Sequence, residues 1–147
     1  HTPGYLRDIM ATLPDVTATP YPAQHGGHAI DPLEGHSLRP AFEAGTVDRP
    51  PMFWEHEGNA AVRIGNWKLV RRYPQEWELY DMEADRTELH DLSAEHPGRV
   101  REMKSQYDAW AARCGVIPRE KILQLMKEQK TPPAFWEEEI VEEARRG

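Results

Sequence analysis

The segment AAVRIGNWKLVRR, residues 60–72, constrains this chain more than any other. Two runs of alternating apolar and polar residues flank Gly65-Asn66, a pair that tolerates positive φ. That pattern predicts a two-residue β-hairpin of strands 60–64 and 67–72. It also fixes the register. Ile64 should face Trp67 and Val62 should face Leu69, so one side of the ribbon is apolar. On the other side Arg63 should face Lys68. Two cations opposite one another cost a few tenths to ~1 kcal/mol. Either both reach into water, as long cationic side chains usually do, or a carboxylate or anion sits between them.

The neighbouring text extends the sheet. Met52–His56 and Trp77–Met82 alternate in the same way, which makes about four short antiparallel strands. Asp81–Asp91 reads as an acidic loop. Ser93 is placed to cap a following helix with Pro97 in its first turn. Val100, Met103, Tyr107 and Trp110 repeat at helical spacing and need a sheet face beneath them. Gly115 should end that helix. The expected fold class is α+β, a small antiparallel sheet packed by a C-terminal amphipathic helix.

The flanks are less regular. Leu6, Ile9, Met10 and Leu13 have helical spacing, with Pro3 in a first turn and an expected stop before Pro14. Residues 14–35 contain four Pro and three Gly and read as loop. Ser37 is placed to cap one or two helical turns through Phe42. Beyond the main helix, Arg119–Lys130 is amphipathic, Thr131-Pro132-Pro133 breaks it, and an acidic helix is expected over 134–145. That last helix reads as a solvated face with one aromatic anchor, or as a partner-binding tail. The resulting division is 1–50, 51–116 and 117–147.

Composition excludes some classes. A formal net charge of −7 gives no basic face for nucleic acid. No apolar run approaches the ~20 residues of a membrane-spanning helix. The single cysteine, Cys114, excludes an internal disulfide framework and is expected to be a buried, inert thiol. Among the seven histidines, His25-Gly-Gly-His28 pairs two imidazoles without completing a metal-ligand pattern. No phosphate-binding glycine loop or nucleophile elbow is present.

The densest group of function-capable side chains is Glu55-His56-Glu57-Gly58-Asn59, at a strand end beside a glycine. His56 has the chemistry to donate a proton or hold an anionic oxygen, and Asn59 to donate a hydrogen bond. The alternative is a polar turn stabilised by Asn59.

The strings FWEHEGNAAVRIGNWKLV, WELYDMEADRTELHDLSAEHPGRV and YDAWAARCGV resemble, in that order, the C-terminal region of type I sulfatases of the arylsulfatase group, in the alkaline-phosphatase superfamily. LRDIMATLPDV and HAIDPLEGHSLRPAF are similar to the family's preceding segments. The resemblance runs over residues 5–123 and leaves 125–147 outside it. It implies that this chain is the end of an α/β sulfatase fold: the tail of the catalytic domain over 1–50, then the smaller sheet-and-helix subdomain. It implies a parent that hydrolyses sulfate esters with a formylglycine nucleophile and a calcium ion. The C/S-x-P-x-R motif and the paired acidic metal ligands of the family are not in this sequence; in Cys114-Gly-Val-Ile-Pro-Arg119 the Pro and Arg fall at the wrong spacing. No catalytic or metal-binding residue is therefore carried over, and this chain alone is expected to be inactive. His56, Asn59 and Glu57 are carried over as substrate-pocket candidates. The implied partners are a sulfate-ester substrate and an N-terminal catalytic domain, without which residues 1–50 should be loosely held. Export is common in the family, so a periplasmic or secreted setting is an implication of the resemblance alone. Two rivals stand beside this reading: a phosphonate or phosphate-ester hydrolase of the same superfamily, and a non-catalytic interaction module.

Overall fold

A computed structural model describes residues 3–128. Its elements, in order, are α1 (Asp8–Thr17), β1 (Gln24–His25), β2 (His28–Ala29), α2 (Arg39–Ala44), β3 (Met52–His56), β4 (Asn59–Ile64), β5 (Trp67–Arg71), β6 (Trp77–Asp81), α3 (Pro97–Arg113) and α4 (Arg119–Glu128). The chain separates into two compact units, one ending at Met52 and the next beginning at Phe53.

The second unit is an α+β layer pair. Its sheet has the order β3-β4-β5-β6. The β4–β5 register is the one the Gly65-Asn66 turn requires: Ile64 opposite Trp67, Arg63 opposite Lys68 and Val62 opposite Leu69. Alternation then sends Ala60, Val62, Leu69, Trp77 and Leu79 to one face, where Met103 and Tyr107 of α3 close over them as one buried cluster. Val100 and Trp110, the outer members of the helical stripe, pack at its border. Phe53 stacks on Trp110 at 5.2 Å between ring centroids, and Trp77 meets Tyr107 edge-on at the same distance. Such aromatic pairs add about 0.5–1.5 kcal/mol beyond area burial.

The ends of α3 depart from expectation on one side only. The helix starts at Pro97, with His96 rather than Ser93 at the cap position. Ser93 is held elsewhere: its N–H and hydroxyl both donate to Asp91. Asp91 also accepts the Leu79 N–H, so the acidic loop is fastened to β6. At the C-terminus Gly115 has φ +68 and its N–H donates to Ala112, while the Val116 N–H reaches back to Ala111. This is a Schellman motif, and it uses glycine for its left-handed residue. Cys114 is exposed, against the expected buried thiol. Packing of the helix on the sheet ends at Ala111, and the next turn meets solvent.

The first unit is built differently. α1 runs through Pro14 instead of stopping before it. Proline removes one helical N–H but does not forbid the helix when side-chain bonds hold the turn. The Thr12 hydroxyl donates to the Asp8 carbonyl and accepts the Leu38 N–H, tying α1 to the segment before α2. The Asp8 carboxylate is buried and accepts from the backbone N–H groups of Tyr5 and His36 and from the Arg49 guanidinium. Burial works to raise the Asp8 pKa, but these donors outweigh it, Arg49 foremost, and the carboxyl lies below its ordinary value. Gly35 passes so close to Arg7 that a Cβ would lie 2.3 Å from the Arg7 carbonyl oxygen. The stretch expected to be all loop contains a short hairpin, β1–β2, turned by Gly26 and Gly27 at positive φ. α2 begins at Arg39, two residues after the expected cap, although the Ser37 hydroxyl does accept the Arg39 N–H. Leu6, Ile9, Met10 and Leu13 remain exposed, Leu6 at 82%. The acidic helix expected over 134–145 lies outside the described residues.

Candidate functional site

The turn between β3 and β4 carries the three site residues named from sequence. Glu57 and Gly58 both have positive φ, +54° and +88°. This is the signature of a tight two-residue turn matched to strand twist. A non-glycine residue there costs ~1–2 kcal/mol, so the surroundings must hold Glu57 in place. They do so from several directions. The Gly58 N–H donates to Glu55 Oε1 at 2.8 Å, and the Gly58 carbonyl accepts from Arg71 Nη2 at 3.1 Å. Asn59 Oδ1 accepts the Tyr73 N–H at 3.0 Å. Gly58 itself is buried, and a Cβ there would lie 2.8 Å from Arg119 Cβ and 3.0 Å from the Tyr73 ring. Only glycine suits both the dihedral angle and the space.

This fixed turn presents its residues unequally. His56 is exposed, and among the described residues its imidazole makes no hydrogen bond or ion pair. Glu57 and Asn59 are half-buried. The oxygen of Asn59 is committed to Tyr73, which leaves its amide nitrogen as the donor toward a ligand. The arrangement offers a proton-carrying imidazole, a carboxylate and an amide donor on one rigid corner.

Arg71, Tyr73 and Arg119 hold the turn, and none was singled out from sequence. Arg71 carried a signal: it is the cation on the apolar face of β5, opposite Ala60. Its guanidinium lies over the Trp77 indole at 5.1 Å, a cation–π contact. Arg71 Nε and Trp77 Nε1 are both buried without a hydrogen-bond partner. Arg119 lies 61 positions beyond Gly58 in the chain, and its role has no local pattern.

The other sequence candidates settle as follows. His25 and His28 are cross-strand partners in the small hairpin, both exposed. Among the described residues no group of three or more His, Cys, Asp or Glu gathers that could hold a metal ion. The opposed cations resolve by divergence. Lys68 Nζ pairs with Glu88 Oε1 at 2.5 Å, while Arg63 Nε turns back to the Gly65 carbonyl at 3.2 Å. A carboxylate therefore sits on one of the pair and not between them. No described helix is long and apolar enough to cross a membrane.

No family model matches the chain. Over 120 residues it is 28% identical to an uncharacterized sulfatase of Schizosaccharomyces pombe, a match spanning 76% of this chain and 22% of that protein. Its fold is shared with solved structures. One is Ps i-CgsB in complex with a neocarrahexaose, at TM-score 0.55 and 24% identity over 71% of this chain and 23% of that one. Another is BT4656 in complex with its substrate D-glucosamine-2-N,6-O-disulfate, at TM-score 0.55 and 22% identity over 78% of this chain and 25% of that one. The chain thus spans about a quarter or less of the length of the proteins it matches. In sequence it resembles the C-terminal region of a type I sulfatase, and in fold it matches a part of larger proteins.

Proposed function

We propose that this chain is the supporting sheet-and-helix part of a longer sulfatase, and that the intact parent hydrolyses sulfate esters of the aryl sulfate type. The observation that carries this is the 28% identity over 120 residues to a sulfatase of which it covers 22%. The role of the second unit is mechanical first. A buried core of Val62, Leu69, Leu79 and Met103 makes a stiff base for the β3–β4 turn.

On that base His56, Glu57 and Asn59 line the substrate pocket. A sulfate ester is anionic and releases an oxygen that must be protonated or stabilised. An exposed imidazole can donate to that oxygen, and the Asn59 amide can donate to a sulfate oxygen. BT4656 acts on a sulfated sugar, so a sugar sulfate is the natural second probe beside an aryl sulfate.

A formylglycine nucleophile and a calcium ion are implied for the parent by the resemblance. The residues of this chain do not fit the metal: among those described, no three potential ligands meet. Both groups are assigned to the rest of the parent, and no step is routed through them here.

The test begins with the reading frame upstream of His1, which should encode C/S-x-P-x-R. The protein so encoded should hydrolyse 4-nitrophenyl sulfate, and the 147-residue chain alone should not. Within the longer protein His56→Ala should raise KM or lower kcat. Metal-dependent turnover by the 147-residue chain would sink the supporting role, and unchanged kinetics in His56→Ala would reduce the turn to a structural one.

A further inference from the structure

The small hairpin of the first unit sets two imidazoles side by side. β1 and β2 pair antiparallel, with Gln24 opposite Ala29 and His25 opposite His28. The Ile30 N–H donates to the Ala23 carbonyl at 3.0 Å, which continues the pairing one step further from the turn. Between the histidines, Gly26 and Gly27 have φ +58° and +83°. Two successive positive values are what a two-residue turn matched to strand twist requires. Both histidines therefore stand on the last rung of a regular hairpin.

Three observations separate this pair from scattered surface histidines. The first is geometry. Side chains of directly opposed residues leave the same face of the ribbon, with Cβ atoms about 4.5–5.5 Å apart. Imidazole nitrogens bind zinc at about 2.0–2.1 Å, so two of them around one ion lie about 3 Å apart. Rotation of the two rings about their own side-chain bonds spans that difference with the backbone fixed. The second is availability. His25 and His28 are both exposed, and among the described residues neither ring has a hydrogen bond, ion pair or ring contact. A neutral imidazole then has one lone-pair nitrogen to give. The third is room. A Cβ built on Gly26 or Gly27 would meet nothing within 4 Å, so water can fill the coordination positions that the chain does not.

We propose that His25 and His28 chelate one divalent transition-metal ion of the Zn²⁺, Ni²⁺ and Cu²⁺ class. Imidazole suits these ions, whereas Ca²⁺ and Mg²⁺ take oxygen ligands. Once one ring has bound, the turn holds the other within reach, so the second bond closes within the molecule. The formal net charge of −7 also favours a cation at the surface. With two protein ligands the ion exchanges freely, unlike a structural zinc held by four. The site rests neither on the sulfatase reading nor on the β3–β4 turn.

The experiment is a zinc titration of the isotope-labelled 147-residue chain. It carries His1→Ala, which removes a competing imidazole at the N-terminus. The signals followed are the His25 and His28 Cε1–H resonances and the Gly26 and Gly27 amides. All four should shift along one saturating curve at one ion per chain, and Ca²⁺ at the same concentration should leave them in place. His25→Ala should weaken zinc at His28 by about tenfold or more, because the chelate is lost. The decisive variant joins His28→Ala to Ala29→His. It keeps two histidines but moves one to the other face of the ribbon, and should bind zinc no better than His28→Ala alone. The Ile30 amide, bonded to the Ala23 carbonyl, reports that the hairpin persists in each variant. No saturable shift, a shift at one histidine only, or Ca²⁺ acting as zinc does would each overturn the proposal. So would undiminished affinity in His25→Ala or in the relocated pair. One ion per two chains would overturn it as well, since the ion would then join copies instead of two rings of one hairpin.

Discussion

The two units reach order by opposite means. In the second, Val62, Leu69 and Leu79 are fully buried, and the sheet and α3 share one apolar cluster. In α1 of the first, the buried side chains are polar. Asp8 opens α1 and Thr12 follows one turn later, and the apolar residues Ile9, Met10, Leu13 and Val16 of that helix are exposed. An apolar core tolerates the loss of one contact, because each makes a small contribution among many. A polar hub does not, because the loss of one donor strands a buried charge. The comparison teaches that these 147 residues contain a self-contained module joined to a segment pinned by a few directional bonds.

The largest expected effect breaks the polar hub. Arg49→Met leaves the buried Asp8 carboxylate without its cation, with side-chain exposures of 7% and 1% for the pair. Stranding a buried partner costs about 3–5 kcal/mol. Hydrogen exchange should show residues 8–17 losing protection while 60–71 keep theirs. Equal loss in both units would contradict the contrast.

A truncation in the apolar core comes next. Leu69→Ala removes a fully buried side chain from the centre of the sheet. The expected cost is ~2–5 kcal/mol, measured by urea denaturation followed through tryptophan fluorescence. Protection of the Tyr5 and His36 amides by Asp8 should persist, since neither bond involves the second unit.

Gly58→Ala should cost ~1–3 kcal/mol, from the strained dihedral angle and the clash with Arg119 and Tyr73. Its signature is a shifted Tyr73 amide with an intact β4–β5 register.

pH divides the units next. The depressed pKa of Asp8 contributes stability that is complete above the unfolded carboxyl value and is lost as pH falls through the lower folded one. Acid should therefore loosen α1 below about pH 4, the ordinary range of an aspartate. Against burial, the Leu79 and Ser93 N–H groups also hold Asp91 below its ordinary value, which gives the second unit an acid sensitivity of its own. At high pH the tyrosines raised by burial, Tyr73, Tyr80 and Tyr107, all belong to the second unit. Burial first, then Glu78, pushes Tyr80 up to about 12. A raised tyrosine favours the fold fully below its unfolded value of 10 and loses that contribution as pH rises through about 12. Absorbance titration should show this step at about 12, and Tyr80→Phe should remove it.

The smallest effect belongs to the surface. Glu88→Gln breaks a pair about a quarter exposed on each side and should cost no more than ~1 kcal/mol of stability.

How much of this was legible beforehand follows the same division. The hairpin at Gly65-Asn66 carried its own register, because turn length and side-chain alternation together leave one pairing that buries Val62 and Leu69. The α3 stripe was legible for the same reason, since helical spacing states which face needs cover. Ser93 failed as a cap because Asp91, two residues earlier, took its hydroxyl and N–H. Cys114 followed the helical stripe on paper but lay past the end of the packed face. Of the candidate site, the glycine and the polar cluster could be read. The clamp of Arg71, Tyr73 and Arg119 could not, because it is assembled from three separate positions.

The sequence by itself determined the module's periodicity: four strands, one covering helix and a tight turn that brings His56, Glu57 and Asn59 to one corner. Those are local properties, set by φ preference and by the spacing of apolar residues. Tertiary structure alone decided that Asp8 is a buried hub, that Gly58 has no room for a side chain, and that Arg63 and Lys68 diverge. Each depends on distant residues converging, and a buried charge or a close approach becomes visible only once the chain has supplied its partners.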